Sequence, residues 1–220
     1  MKHLLFTLLP LLLLATACSN RSVETIIIDR VTEPPSDMDD NPFFTESTLP
    51  LQAPDFDEIR IDDYMPAFEE GMNQQLQEID AIVDNYGDPT FENTIEALEQ
   101  SGQLLTRVQR VFFNMSSAHT NDDIQRIQAE LAPRLANHAD NILLNRELFG
   151  RVDTLYENRE DLELDPESLK LLEELHRSFV RAGARLSDRD QERIRTINGE
   201  LSSLTTEFQE RLLAMTHERA

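Results

Sequence analysis

Apolar residues recur at alternating steps of three and four along most of this chain, from Met65 to Leu212. An α-helix has about 3.6 residues per turn, so side chains spaced in this way form one stripe along its surface. A β-strand would need an apolar residue at every second position, which these stripes lack. The spacing therefore predicts an all-α fold, an antiparallel bundle of five or six helices.

Capping residues predict where the first two helices begin and end. Asp62 or Asp63 is the expected N-cap of the first helix, and Gly87 follows its end. The sequence 88–90, Asp-Pro-Thr, is a typical start for the second helix. That helix is expected to run for about 25 residues, with Ser101-Gly102 at a close contact between helices.

Three further helices are predicted in the second half of the chain. Asn121 and the two aspartates after it cap the third, which contains Pro133 and should kink or break there. Asp165 caps the fourth, which ends at Gly183, and Ser187 with Asp190 begins the last. The apolar residues of the last helix form a coiled-coil-like seam: Ile194, Ile197, Leu201, Leu204, Phe208 and Leu212.

Residues 1–17 have the pattern of an export signal: a short basic start, an apolar run and three small residues. The apolar run is shorter than the roughly 20 residues that cross a bilayer. Residues 14–18, Leu-Ala-Thr-Ala-Cys, resemble a bacterial lipobox, which predicts cleavage before Cys18 and lipidation of Cys18. Ser19 resembles the residue found in lipoproteins sent on to the outer membrane. The alternative is an ordinary signal peptide with an incidental Cys18.

Both interpretations export the chain, and the first places it in the bacterial cell envelope, lipid-anchored and facing the periplasm. Residues 18–48 are acidic and contain prolines, which predicts a tether between the anchor and a helical domain at 49–220. The chain has 20 Lys and Arg against 42 Asp and Glu, a formal net charge of −22, which argues against binding to nucleic acid. Its single cysteine excludes an internal disulfide or a multi-thiolate zinc site.

Residue spacing alone predicts no catalytic, cofactor-binding or metal-binding residue. A helical zinc-peptidase site needs two histidines four residues apart with a glutamate beside the first, and no two histidines here have that separation. His217-Glu218 matches only half of the motif. His138 and His176 lie on apolar stripes and are expected to be hydrogen-bonded core residues, and His119 is expected in a loop. Adjacent carboxylates are expected on solvated helix faces and caps: Glu69-Glu70, Asp122-Asp123 and Glu173-Glu174.

One stretch of the sequence is especially specific: 89–102, Pro-Thr-Phe-Glu-Asn-Thr-Ile-Glu-Ala-Leu-Glu-Gln-Ser-Gly. Shorter stretches lie on both sides of it, at 41–44, 49–50, 53–59, 64–72, 107–108, 111–115 and 135–142. Taken in order from about residue 41 to 215, the chain resembles the N-terminal part of bacterial peptidyl-dipeptidases of the thimet oligopeptidase family. The resemblance implies a nearly all-helical, two-lobed zinc metallopeptidase that takes short peptides into a deep channel and releases C-terminal dipeptides.

The family's zinc-binding motif, His-Glu-x-x-His with a downstream Glu, matches no position of this sequence, so no catalytic or metal residue is carried over. The helices resemble the lobe that walls the channel, and the expectation is an incomplete N-terminal lobe without the catalytic lobe, inactive by itself. The last apolar stripe continues almost to the end without a capping signal, which favours this view, although a terminal helix can also fray. The alternative is a stand-alone helical envelope lipoprotein that binds peptides or a protein partner.

Overall fold

Seven α-helices form most of residues 40–217, the part of the chain that the computed structural model describes. They are α1 (Tyr64–Val83), α2 (Ala97–Gln100), α3 (Gln103–Ala118), α4 (Asp122–Leu143), α5 (Arg146–Glu157), α6 (Pro166–Ala182) and α7 (Asp188–His217). This range contains no β-strand, which confirms the all-α prediction. None of its helices has the length and apolar character needed to cross a membrane. The predicted signal peptide, Cys18 and the tether up to residue 39 lie outside the described residues.

Three of the predicted helix starts are confirmed by hydrogen bonds to the capping side chains, whereas Asp63, which directly precedes α1, makes no such hydrogen bond to it. The Thr90 hydroxyl accepts from the Asn93 amide at 3.1 Å, at the start of a π-helical turn (Phe91–Glu96) that leads into α2. The Asn121 side chain accepts from the Ile124 amide at 2.9 Å and begins α4. Asp165 accepts from the first turn of α6, with Pro166 as the first helical residue. These caps satisfy backbone N–H groups that have no partner within the helix.

The first core lies between α1, α3 and α4. Its centre is Phe68 on α1 and Phe112 on α3, both fully buried and packed edge to face with ring centroids 5.4 Å apart. A short 3-10 helix before α1 (Pro42–Phe44) adds the buried ring of Phe43. The Arg107 guanidinium holds this segment to α3 by donating to the Phe43 carbonyl at 2.8 Å. Phe43, which lies near the end of the range predicted as a tether (18–48), is therefore packed in the first core.

Helices α1 and α3 approach closely at Gly71. A β-carbon built on Gly71 would lie 2.8 Å from the Leu105 α-carbon, which is backbone and cannot move aside like a flexible side chain. By contrast, a β-carbon on Gly150 in α5 would meet nothing within 4 Å.

We expect Gly71→Ala to lower the free energy of unfolding by about 1–3 kcal/mol, because the helices must separate to admit a methyl group. Gly150→Ala is the matched control. It should raise the free energy of unfolding by up to about 1 kcal/mol, since alanine favours the helix and here meets no obstacle. Urea denaturation followed by far-UV circular dichroism measures both. Equal effects of the two substitutions would contradict the close contact.

The second core joins the C-terminal half of α1 and the π-helical turn to α5 and α6. Its fully buried side chains include Ile95, Leu148, Val152, Leu172 and Phe179. The sequence-based prediction omits α5, which is only 12 residues long. It carries Gly150 near its middle, and glycine disfavours a helix, so tertiary packing of its apolar face stabilises it.

One predicted feature of the helices is wrong. The second helix does not run for about 25 residues, because the chain turns at Ser101 and Gly102 adopts a left-handed φ of 70° before α3 begins. Residues with a β-carbon rarely adopt this φ, so glycine allows the tight turn. Of the kink or break predicted at Pro133, the break does not occur, because α4 continues from Asp122 to Leu143. Buried residues on both sides of Pro133 hold α4 in place: Leu131 and His138.

The predicted coiled-coil-like seam of α7 faces away from the other described helices from Ile197 onward, whereas its first member, Ile194, is partly buried near Gly183. Ile197, Leu201 and Phe208 are 47%, 60% and 66% exposed. The polar side of α7 packs on α4 instead, where the Asn198 amide donates to Asp140 at 2.7 Å. The apolar spacing predicted for the seam is present, but the other described residues leave the seam exposed from Ile197 onward.

Candidate functional site

Three histidines with described side chains, His119, His138 and His176, lie in different surroundings. His119 is exposed in the α3–α4 loop, and His138 and His176 are each 7% exposed in separate helix contacts. His217 is the last residue of α7. Within residues 40–217, no group of three or more His, Cys, Asp or Glu is placed to hold a metal ion. These residues therefore do not fit a zinc ion, and no chemical step through zinc is assigned to them.

His138 links three helices through a chain of hydrogen bonds. Its Nε2 lies 2.7 Å from the Gln75 side-chain oxygen, so Nε2 carries the proton. The Gln75 amide nitrogen donates to the Ser101 hydroxyl at 3.3 Å, and Ser101 donates to the Leu98 carbonyl at 2.8 Å. Burial lowers the pKa of His138, which keeps the ring neutral. The prediction that His138 is a hydrogen-bonded core residue is confirmed.

We expect stability to fall at mildly acidic pH because of His138. Its pKa is lower in the folded than in the unfolded chain, so the unfolded chain binds the proton more readily. The contribution of His138 is present above about pH 6.5, the ordinary histidine value, and is lost as the pH falls below it. The free energy of unfolding should therefore decrease more between pH 7.5 and 5 in the wild type than in His138→Gln, measured by urea titration.

His119→Gln, in an exposed loop, controls for the loss of a histidine elsewhere and should keep the wild-type dependence. The same decrease in the wild type and in His138→Gln would show that burial of His138 does not matter.

The second buried histidine, His176, belongs to a charged cluster between α5 and α6. His176 Nε2 and Arg185 Nη2 each lie 2.9 Å from the same oxygen of Asp153. The Tyr156 ring stacks on His176 with centroids 3.7 Å apart. Burial alone would raise the pKa of Asp153, but the hydrogen bonds and charges of Arg185 and His176 outweigh it and hold that pKa below its usual value.

A histidine held by an aspartate can act as the base that activates a nucleophile. No nucleophilic side chain is among the described hydrogen-bonding neighbours of His176. In the described part of the chain its hydrogen-bonding neighbours are Asp153 and Arg185, with no Ser, Thr or Cys among them. A nucleophile must lie within hydrogen-bond reach of its base. The cluster therefore ties α6 and the following loop to α5, and sequence spacing could not reveal it because its members lie 9 to 32 residues apart.

Arg151 on α5 holds the loop between α1 and the π-helical turn. Its guanidinium donates to the Asn85 carbonyl at 3.0 Å, the Gly87 carbonyl at 3.3 Å, the Asn93 side chain at 2.9 Å and the Thr94 hydroxyl at 3.2 Å. These acceptors lie 57 to 66 residues away in sequence, so only the folded chain shows the connection. The role of Arg151 is to fix backbone geometry.

Asp140 is a buried carboxylate on α4, 5% exposed, at the contact with α7. One oxygen accepts from Asn198, and the other has no hydrogen-bond partner within the described residues. The adjacent carboxylates singled out in the sequence are not buried. Asp122 and Asp123 are exposed in the first turn of α4, and exposed Glu69 pairs with Arg134 at 2.6 Å.

A groove of about 930 Å³ lies between α3 and the segment that precedes α1. Its lining combines exposed apolar side chains, including Leu51 and Phe56, with polar groups of α3 such as Arg110 and Asn114. The lining contains no histidine or cysteine. The lining residues of the groove do not form a set for hydrolysis.

The described segment is thus a helical scaffold in which buried polar groups join helices. Its sequence is similar to that of known peptidases. It is 52% identical over 174 residues to a dipeptidyl carboxypeptidase of Escherichia coli (strain K12), which covers 79% of this chain and 26% of that protein. It is 48% identical over 177 residues to a dipeptidyl carboxypeptidase of Salmonella typhimurium (strain LT2), covering 80% and 26%.

A more distant similarity, 31% identity over 106 residues, connects it to oligopeptidase PhomG' of Diaporthe leptostromiformis, covering 46% of this chain and 9% of that protein. No protein-family model matches the chain. The chain spans about a quarter of the length of the two bacterial relatives. These identities support a segment of a peptidase, and both bacterial relatives carry the name dipeptidyl carboxypeptidase.

Proposed function

We propose that this chain forms the N-terminal helical part of a zinc-dependent oligopeptidase that releases C-terminal dipeptides from short peptides. The observation that carries the proposal is 52% identity over 174 residues to a dipeptidyl carboxypeptidase. In this proposal the described helices wall the substrate channel, and residues outside this sequence supply the zinc ligands and the general base. The zinc would polarise the scissile carbonyl and activate water.

In this proposal the described residues have a structural role and take no part in the chemical step. The α1–α3 contact at Gly71 and the Arg151 hydrogen bonds fix the positions of the helices. A rigid wall would keep folded proteins away from the catalytic centre while it admits short, extended peptides. The high acidity of the chain, with a formal net charge of −22, adds a negative potential to that wall.

The purified chain is expected to release no dipeptide from short peptides when supplied with zinc, because the sequence has no His-Glu-x-x-His motif and the described residues form no group that could hold a metal ion. Mass spectrometry of the peptide after incubation measures this directly. Peptide cleavage by the chain alone that a chelator abolishes would contradict the proposal.

The proposal places the protein in the bacterial cell envelope, lipid-anchored through Cys18, facing the periplasm and retained at the outer membrane. The lipobox-like sequence at residues 14–18 supports the anchor, and Ser19 supports the outer membrane. Labelled fatty acid should enter the wild-type chain and not Cys18→Ser, and only the wild type should sediment with outer membranes. Equal labelling of both would overturn the anchor and leave the peptidase assignment intact.

A further inference from the structure

Helix α7 carries more exposed large apolar side chains than any other described helix. They recur at steps of four, three, four, four and three, and so form one continuous stripe, here called the α7 stripe. Its members are Ile197, Leu201, Leu204, Phe208, Leu212 and Met215, each 47–66% exposed. The stripe extends over roughly 27 Å at the rise of an α-helix. An apolar surface of this extent and regularity marks an interface.

The opposite, polar side of α7 is already occupied. Gln191, 3% exposed, donates to the Gly183 and Ala184 carbonyls at 3.3 and 3.2 Å. Asn198 donates to Asp140, and Thr206 is also buried. An amphipathic helix on the surface of a soluble protein ordinarily buries its apolar side. α7 does the reverse, and its hydrogen bonds to α4 and to the α6–α7 loop hold it in that orientation.

We infer that the α7 stripe packs against the remaining part of the peptidase, so that α7 lies between the helical segment described here and the body of the enzyme. This inference rests on the proposed function. The bacterial relatives are about four times longer than the segment they share with this chain, which covers 26% of each. That additional polypeptide is a partner joined to the same chain, and it must present a complementary apolar surface.

The features beside the stripe favour a permanent interface within one polypeptide. The stripe contains no charged residue, and the nearby Glu207–Arg211 pair lies along the same helix and satisfies its own charges. A peptide-binding site combines an apolar lining with a few polar groups that fix the orientation of the peptide, and the stripe has no such polar group.

The test places one double substitution, Leu204→Glu with Phe208→Glu, in two proteins. The first is the chain itself. The second is a chimera, the E. coli dipeptidyl carboxypeptidase in which the 174 aligned residues are replaced by those of this chain. In the chain alone the substitution should leave the melting temperature unchanged, because both side chains face solvent. In the chimera it should lower peptidase activity by more than about tenfold, since two charges enter an apolar contact.

Thr205→Glu with Gln209→Glu is the matched control, because both residues are exposed on α7 beside the stripe. It should leave both proteins unchanged. An active chimera that tolerates the Leu204 and Phe208 substitution overturns this inference alone. A lower melting temperature in the isolated chain also overturns it, because the stripe would then pack within this segment. If the isolated chain forms a dimer and the Leu204 and Phe208 substitution dissociates it, the stripe binds a second copy of the chain, which also overturns the inference. If the chimera without the substitution is inactive, both the proposed function and this inference are contradicted.

Discussion

Replacement of Phe112 by alanine is expected to lower the free energy of unfolding by about 3–5 kcal/mol, the range for removal of a buried aromatic ring. Phe112 is fully buried and its ring contacts three others, with centroids 5.1 Å from Tyr64, 5.4 Å from Phe68 and 5.3 Å from Phe113. It joins α3 to α1, so its removal leaves a cavity at the centre of the first core. The chain has no tryptophan, and urea denaturation is best followed by far-UV circular dichroism.

Phe113→Ala is the matched control, because it removes the neighbouring ring from the same turn of α3. Phe113 is 39% exposed, and its removal should lower the free energy of unfolding by about 1 kcal/mol or less. Similar losses for Phe112→Ala and Phe113→Ala would show that the core is not organised around Phe112.

Arg151→Met should lower the free energy of unfolding by about 2–3 kcal/mol, because hydrogen bonds made by a charged group contribute more than neutral ones. The substitution keeps the apolar part of the side chain and removes the donors to Asn85, Gly87, Asn93 and Thr94. Urea denaturation gives the loss of stability. Hydrogen exchange locates it, and amides between residues 85 and 96 should exchange faster than in the wild type.

Arg126→Met is the control for the loss of a positive charge. Arg126 forms an exposed ion pair with Asp123 one turn earlier in α4, with side chains 65% and 62% exposed. Such pairs contribute little, so this substitution should change the free energy of unfolding by less than about 0.5 kcal/mol. If Arg126→Met and Arg151→Met have equal effects, the Arg151 hydrogen bonds do not stabilise the fold.

Local signals were sufficient to predict the fold class and most helix starts. The step of three and four predicts helices, and Thr90, Asn121 and Asp165 all cap helices as expected. These features depend on neighbouring residues in the sequence, which is why they can be read without a structure.

Features that depend on distant contacts could not be predicted. The turn before α3 is held by hydrogen bonds with Gln75 and Glu78 of α1, and α5 is stabilised by its contact with α6. His176 was expected to be buried, and it is, but its partner Asp153 became evident only in the folded chain. The α7 stripe illustrates the same limit, since its spacing predicts an interface but not which polypeptide covers it.

The most direct test of the peptidase assignment is dipeptide release by the unsubstituted chimera, measured beside the E. coli dipeptidyl carboxypeptidase and beside the same enzyme with the 174 aligned residues deleted. If this chain is the helical wall of such an enzyme, the chimera releases C-terminal dipeptides, a chelator stops the reaction, and the deletion variant is inactive. A chimera as inactive as the deletion variant would contradict the assignment, because a segment 52% identical to the original would then be unable to replace it.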